Sequence, residues 1–156
     1  MAFGGSRGRI DNVLTLRLIF LTILIFFFAS TVFAQVQTRV RIIQASNEGS
    51  AVDPSLRDVH DQLGSLFNFT SYRLMRDEQF SLSQNQPVEI RAHQAIGLEI
   101  SLVGKRRDVA EFRVKIRRDG TEILNTQVRL SPGRTVMIGG PKHGAGTIIL
   151  AFTARF

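Results

Sequence analysis

The side chains best suited to moving a proton or holding a metal near neutral pH are His60, His93 and His143. None has a second His or Cys at a metal-binding spacing. His60-Asp61 does not reproduce the His-Glu-x-x-His pattern that sets two imidazoles on one helix face. His60 is expected on a helix surface, and His93 and His143 in loops. A Ser-His-Asp set is assembled in space rather than in sequence, so spacing leaves it open, but the chain has no Gly-x-Ser-x-Gly elbow. It also has no Cys, which removes disulfides, thiolate metal sites, a cysteine nucleophile and a lipid-anchoring cysteine. The expectation is a protein that is not an enzyme and has no cofactor or metal.

Two further stretches invite chemistry. Gly139-Gly140-Pro141-Lys142-His143-Gly144-Ala145-Gly146 has the glycines of a phosphate loop. Such a loop needs Gly-Lys-Ser/Thr opening a helix, so that backbone N–H groups and the helix dipole face the phosphates. Here an alternating strand pattern follows, so the glycines predict a long hairpin loop. The second stretch is basic. Lys105, Arg106 and Arg107 precede Arg113, Lys115 and Arg117, which alternate with apolar residues along one strand. These six residues are the candidate anion- or partner-contact surface. The plainer alternative is a solvated sheet face whose charges discourage edge-to-edge pairing. Glu99, Glu111 and Glu122 fall on neighbouring strands, where they would pair with these cations. Nucleic acid is not expected, because the Phe residues fall on apolar rows instead of interleaving with the bases. Asn68-Phe69-Thr70 is formally a glycosylation sequon.

The elements that carry these residues are mostly strands. Ala110, Phe112, Val114 and Ile116 alternate with Glu111, Arg113, Lys115 and Arg117, the period of a half-buried strand. Asp119-Gly120 then predicts a type I′ hairpin turn, and Leu124, Val128 and Leu130 return on the apolar side. Val36 to Ala45 reads as a first strand. Asp53-Pro54 opens a helix, with Asp as N-cap and Pro at the first position. Leu56, Val59, Leu63 and Leu66 continue it at helical spacing to about Phe67. Asp58 and Asp61 sit near its positive end. Thr70 to Met75 is a strand with Tyr72 and Leu74 on one side, which Phe80 and Leu82 extend. Strand, helix and strand in this order suggest a crossover unit with the helix on one face of the sheet.

Gln84-Asn85-Gln86-Pro87 is a turn, Val88, Ile90 and Ala92 form one apolar row, and Leu98, Ile100 and Leu102 another. Gly104 to Asp108 is a charged loop. Ser131-Pro132-Gly133-Arg134 fits a type II turn, with Gly taking the positive φ. Thr135 to Ile138 is a short strand. Ile148, Leu150, Phe152, Ala154 and Phe156 close the chain in strict alternation. The fold class is α+β: a mostly antiparallel sheet or sandwich of about eight short strands with one covering helix.

Residues 1–34 read differently. Arg7, Arg9 and Arg17 precede an apolar run from Leu18 to Phe28 that only Thr22 interrupts, and Val32-x-Ala34 stands before Gln35. This is the order of a secretory signal peptide cleaved between Ala34 and Gln35. The alternative is an uncleaved anchor, since residues 18–36 approach the roughly 20 residues that span a bilayer. Residues 35–156 then form a single exported domain. The whole chain carries a formal charge of +7. Without Arg7, Arg9, Arg17 and Asp11 it keeps 17 bases and 12 acids, or +5. That excess favours anionic surfaces without choosing among them. The alternating end at Phe156 also resembles the closing strand of an outer-membrane barrel, but several rows are shorter than the roughly 10 residues such strands need.

Ile43-x-Ala45-Ser46, Asp53-Pro54-x-Leu56, Phe69-x-Ser71-Tyr72-Arg73-Leu74, Arg129-Leu130-x-Pro132-Gly133 and Gly139-Gly140-Pro141 through Gly146-x-Ile148-x-Leu150-Ala151 occur in that order. The pattern resembles a family of small exported bacterial proteins of uncharacterised activity, and it covers most of residues 35–156. The resemblance implies a signal peptide and a compact domain. It transfers no activity, cofactor or site residue. The expectation is an exported cell-envelope domain that acts by contact with a protein partner, as an accessory to a secretion, pilus or other envelope assembly. The alternative is a binder of anionic envelope polymer or lipid. The membrane is involved only if residues 18–36 are retained.

Overall fold

A computed structural model describes residues 35–156. The leader or anchor reading of residues 1–34, including Ala34 of the cleavage pair, lies outside the described residues. Gln35 opens them and is exposed. No helix of the described residues is long and apolar enough to cross a membrane.

Strands dominate, as the period-two pattern requires. They are β1 (Val36–Ser46), β2 (Ser71–Leu82), β3 (Val88–His93), β4 (Ile96–Arg106), β5 (Val109–Arg118), β6 (Thr121–Leu130), β7 (Thr135–His143) and β8 (Gly146–Arg155). The helix α1 is His60–Leu66. Two four-stranded sheets form, ordered β2-β1-β8-β7 and β3-β4-β5-β6, and every pairing is antiparallel. The chain meanders from strand to neighbouring strand, and β8 returns to β1. The turns at residues 83–87 and 131–134 carry it between sheets.

The main core lies between the two sheets. Phe112 and Phe152 meet edge to face there, with ring centroids 5.0 Å apart. Val40, Ile42, Leu98, Ile100, Ile116, Leu130, Ile148 and Leu150 fill the space around them. The charged residues of β5 face away from it. This is the inverse of a transmembrane barrel, whose apolar band faces outward.

A second, smaller core forms on the other side of β1 and β8. Ile43, Ala45, Ile149 and Ala151 are covered by Leu56, Val59 and Leu63 from the β1–β2 connection and by Tyr72 of β2. A bulge makes Tyr72 available. The β1–β2 register passes from Ile42↔Arg76 to Ile43↔Leu74, so Met75 is the extra residue. One extra residue reverses the parity of a strand. Tyr72 and Leu74 therefore pack in the small core, whereas Phe80 and Leu82 pack in the main one.

Several expectations are corrected. β1 and β2 are antiparallel neighbours, so the helix belongs to a long connection that leaves and returns at the same end of the sheet. It is not part of a parallel crossover. The helical segment is also broken. Asp53 caps only a 3₁₀ turn, Pro54–Leu56, by accepting from the Ser55 N–H at 2.9 Å, and α1 starts separately at His60. The break lets Leu56, Val59 and Leu63 all reach the sheet and leaves Leu66 exposed. Asp58 lies in the break, ahead of α1, instead of in a helical turn.

The two expected loops are strand. The β4–β5 ladder continues to Arg106↔Val109, leaving Arg107-Asp108 as a tight turn with Arg107 at φ 45°. The β7–β8 ladder continues to His143↔Gly146, with Gly144 at φ 58° in the turn. The other glycines there permit close packing. A Cβ on Gly140 would stand 2.9 Å from the Ile148 carbonyl oxygen, and one on Gly146 would collide with the Ala45 carbonyl oxygen. The Asp119-Gly120 and Ser131–Arg134 turns form as expected, with positive φ at Asp119, Gly120 and Gly133.

Candidate functional site

The structure divides the six basic residues into two groups. Arg113, Lys115 and Arg117 stand on the outward side of β5, the period-two partners of its core residues. Neighbouring strands neutralise them. Lys115 Nζ lies 3.1 Å from Glu99 Oε1. Arg117 reaches Glu99 Oε2 at 2.9 Å and Glu89 Oε1 at 3.7 Å. With its amide oriented to donate to Glu111, Gln127 accepts from Arg113 at 2.6 Å. Arg129 pairs with Glu111 at 3.7 Å. Glu99 and Glu111 thus pair with cations as expected. Glu122 instead accepts from Asn125 at 3.1 Å. Along β4, β5 and β6 the outer face of this sheet is a ladder of paired charges, while Arg91 on the β3 edge forms no ion pair among the described residues.

Lys105, Arg106 and Arg107 project at the β4–β5 turn, beyond that ladder. Lys105 Nζ stands 4.8 Å from the centroid of the Phe156 ring, a cation–π contact. Among the described residues none of the three forms an ion pair. Beside them lies a shallow depression of about 740 Å³, lined by Gln84, Val103, Lys105, Arg106, Val109, Glu111 and Arg129. The bulge at Val103 shapes it, since the ladder steps from Leu102 to Gly104 there.

The outer face of the other sheet holds a polar groove of about 400 Å³ where the small core ends. Arg41 is buried at its inner edge and donates to both oxygens of Asp58, at 2.7 and 2.9 Å. The Arg41 guanidinium holds the Asp58 carboxyl below the usual aspartate range. Arg39 binds Asp77 in the same two-pronged way, which lowers Asp77 and raises Arg39. Gln37, Gln79, Arg155 and the hydrogen-bonded Thr135–Thr153 pair complete the lining. Gln62 of α1 donates to the Thr135 carbonyl at 3.1 Å, tying the helix to β7. No motif or spacing in the sequence marks this groove. Arg41 alternates like any outward residue of a half-exposed strand, and Asp58 is distant from it in the chain.

His60 lies on α1, 3.8 Å from Asp61 and edge-on to Tyr72. His93 and His143 are strand residues, and their rings meet with centroids 4.4 Å apart. The one shared feature of their sequences is that each ends a strand at a tight turn. Thr70 of the sequon donates its hydroxyl to the Gly49 carbonyl at 2.6 Å. Among the described residues, no group of three or more His, Asp or Glu could hold a metal ion. The chemistry these surfaces support is ionic and hydrogen-bonded contact.

Comparison with protein-family models, with curated proteins and with solved structures finds no match to this chain.

Proposed function

We propose that the chain is an exported cell-envelope domain that works without catalysis, by accepting a strand from a protein partner within a secretion, pilus or other envelope assembly. The observation that carries this reading is the β6 edge. β6 pairs with β5 alone across Thr121–Leu130, which leaves one side of a ten-residue strand without a ladder partner among the described residues. Ile123, the extra residue of a bulge between Glu122 and Leu124, is 43% exposed on it, and regular pairing runs from Leu124 to Leu130. A partner strand added here would gain main-chain hydrogen bonds, with alternate side chains for specificity. The other edges are protected. β2 carries Arg73, Arg76, Asp77 and Glu78, β3 has only six residues, and β7 contains Pro141, whereas β6 runs in unbroken register from Leu124 to Leu130. The leader-like order of residues 1–34 and the resemblance to small exported bacterial proteins support the location.

The test is a photo-crosslinking residue at Asn125, on the edge, with a control at Arg91 on the opposite sheet edge. The expected result is one envelope protein captured from Asn125 alone. Capture survives high salt and is lost in Ile123→Lys. Capture from both positions, or none, counts against strand addition. A second reading, an anionic polymer or lipid binder, is favoured by the three unpaired cations at the β4–β5 turn. Its signature is retention on heparin that falls steeply with salt and is unaffected by Ile123→Lys.

A further inference from the structure

One corner of the domain gathers bases from four strands. His93 ends β3 and His143 ends β7, and these strands belong to different sheets. Their rings touch at a centroid distance of 4.4 Å, inclined by 61°. Arg118, the last residue of β5, donates to the Lys142 carbonyl and so sets its guanidinium at the same turn. Arg73 of β2 donates to the Gln44 side chain, whose Nε2 lies 3.8 Å from where a Cβ on Gly144 would stand. Arg73, Arg118 and Lys142 form no ion pair among the described residues. Asp119 follows Arg118 in the chain and its backbone N–H binds the Ala95 carbonyl at 2.9 Å, and Glu48 lies in the exposed loop after β1. Neither carboxylate forms an ion pair with these bases.

We propose that this corner binds a tetrahedral oxyanion, a sulfate or phosphate group either free or esterified on a polymer or lipid. Arg73 and Arg118 supply fixed charge, and the imidazoles of His93 and His143 add N–H donors. A neutral imidazole offers one N–H, a protonated one two. Burial, then His93, Arg118 and Arg73, keep His143 below the ordinary histidine value. An anion placed among them offsets the three charge repulsions. By linkage, it raises the His143 pKa from that lowered value and binds more tightly as pH falls. A divalent metal would suit paired imidazoles, but the two guanidiniums oppose a cation. This site is separate from the β6 edge and does not depend on strand addition.

The experiment is histidine-ring NMR on the full chain in nonionic detergent, with inorganic sulfate as the probe. Sulfate keeps its charge across the range, and ionic strength is held with NaCl. The chain has only three histidines, so His60 on α1 is an internal reference. Sulfate should shift His93 and His143 but not His60. Its Kd should be about tenfold lower near pH 5.5 than near pH 7.5. Arg118→Gln should weaken binding at both pH values. His143→Gln should flatten the pH dependence while sulfate still shifts His93. A sulfated polysaccharide and anionic phospholipid vesicles then separate the sources: competition by either names the carrier, and competition by neither leaves the free ion as ligand. Equal shifts at all three histidines overturn the proposal. So does a response to Zn²⁺ near pH 7.5 with none to sulfate.

Discussion

Removing Asp58 should cost more stability than removing Arg41, although the two form one ion pair. The Arg41 side chain is 3% exposed and the Asp58 side chain 60%. Asp58→Ala strands a guanidinium that water reaches poorly. A hydrogen bond to a charged group is worth about 1.5–3 kcal/mol. The exposed side of the groove admits some water to Arg41, so the lower part of that range, about 2 kcal/mol, applies. Arg41→Met has the opposite character. It replaces a buried cation with an apolar chain of similar length and leaves a carboxylate that water already solvates. That change should stay within about 1 kcal/mol of wild type. The double variant should match Arg41→Met, giving a coupling of about 2 kcal/mol.

Urea unfolding followed by circular dichroism measures this. With a slope of about 1.5 kcal/mol/M, Asp58→Ala should lower the midpoint by roughly 1.3 M. pH supplies an independent check. The Asp58 carboxyl is held below its ordinary value of 3.8, first by the Arg41 hydrogen bond. A depressed folded-state pKa gives stability that is present above 3.8 and lost as pH falls through the folded value. The gap between wild type and Asp58→Ala should therefore close in strong acid. Asp77 shifts in the same direction and is present in both proteins; Asp58 adds only the smallest of its causes, an opposing repulsion, so most of its contribution cancels in the difference. Equal losses for Asp58→Ala and Arg41→Met, or a gap that persists in strong acid, would refute the reasoning.

Neutralising Lys105, Arg106 and Arg107 together should reduce retention on heparin. Neutralising Lys115 and Arg117, whose charges Glu99 already engages, should leave retention nearly unchanged. Elution salt on one column compares them. Gly146→Ala should destabilise by about 3 kcal/mol or more, because the new Cβ meets the β1 backbone at Ala45. Gly104→Ala, with nothing within 4 Å of its Cβ, should change the urea midpoint little. Phe112→Ala removes one ring of the edge-to-face pair in the main core and should cost about 3–5 kcal/mol, read as a lower thermal midpoint.

The rows that the sequence displayed most clearly are the rows that face a single core. Ala110, Phe112, Val114 and Ile116 are buried on alternate positions as their period requires, whereas in β8 Ile149 and Ala151 are buried in the small core between Ile148, Leu150 and Phe152 of the main one. Turns with an obligatory positive φ were equally legible, because Asp119-Gly120 and Pro132-Gly133 are local chemistry. Legibility failed where one strand serves two cores. Ile42 and Ile43 are adjacent and both buried, one in each core, and such a pair carries no period at all. It failed again at Met75, since a bulge reverses parity without any residue type that announces it. The same two failures hide the surfaces that matter. Arg41 is buried because the β1–β2 connection folds over an outward row, and no pattern within β1 encodes that cover. His93 and His143 meet because strands from separate sheets end at one corner. The visible basic run was in turn misleading as a single surface: β5 carries half of it along a sheet whose acids are in register, and the β4–β5 turn carries the rest beyond their reach. Residue type therefore located the charges, while register decided which of them are already satisfied. A ligand can engage only the others.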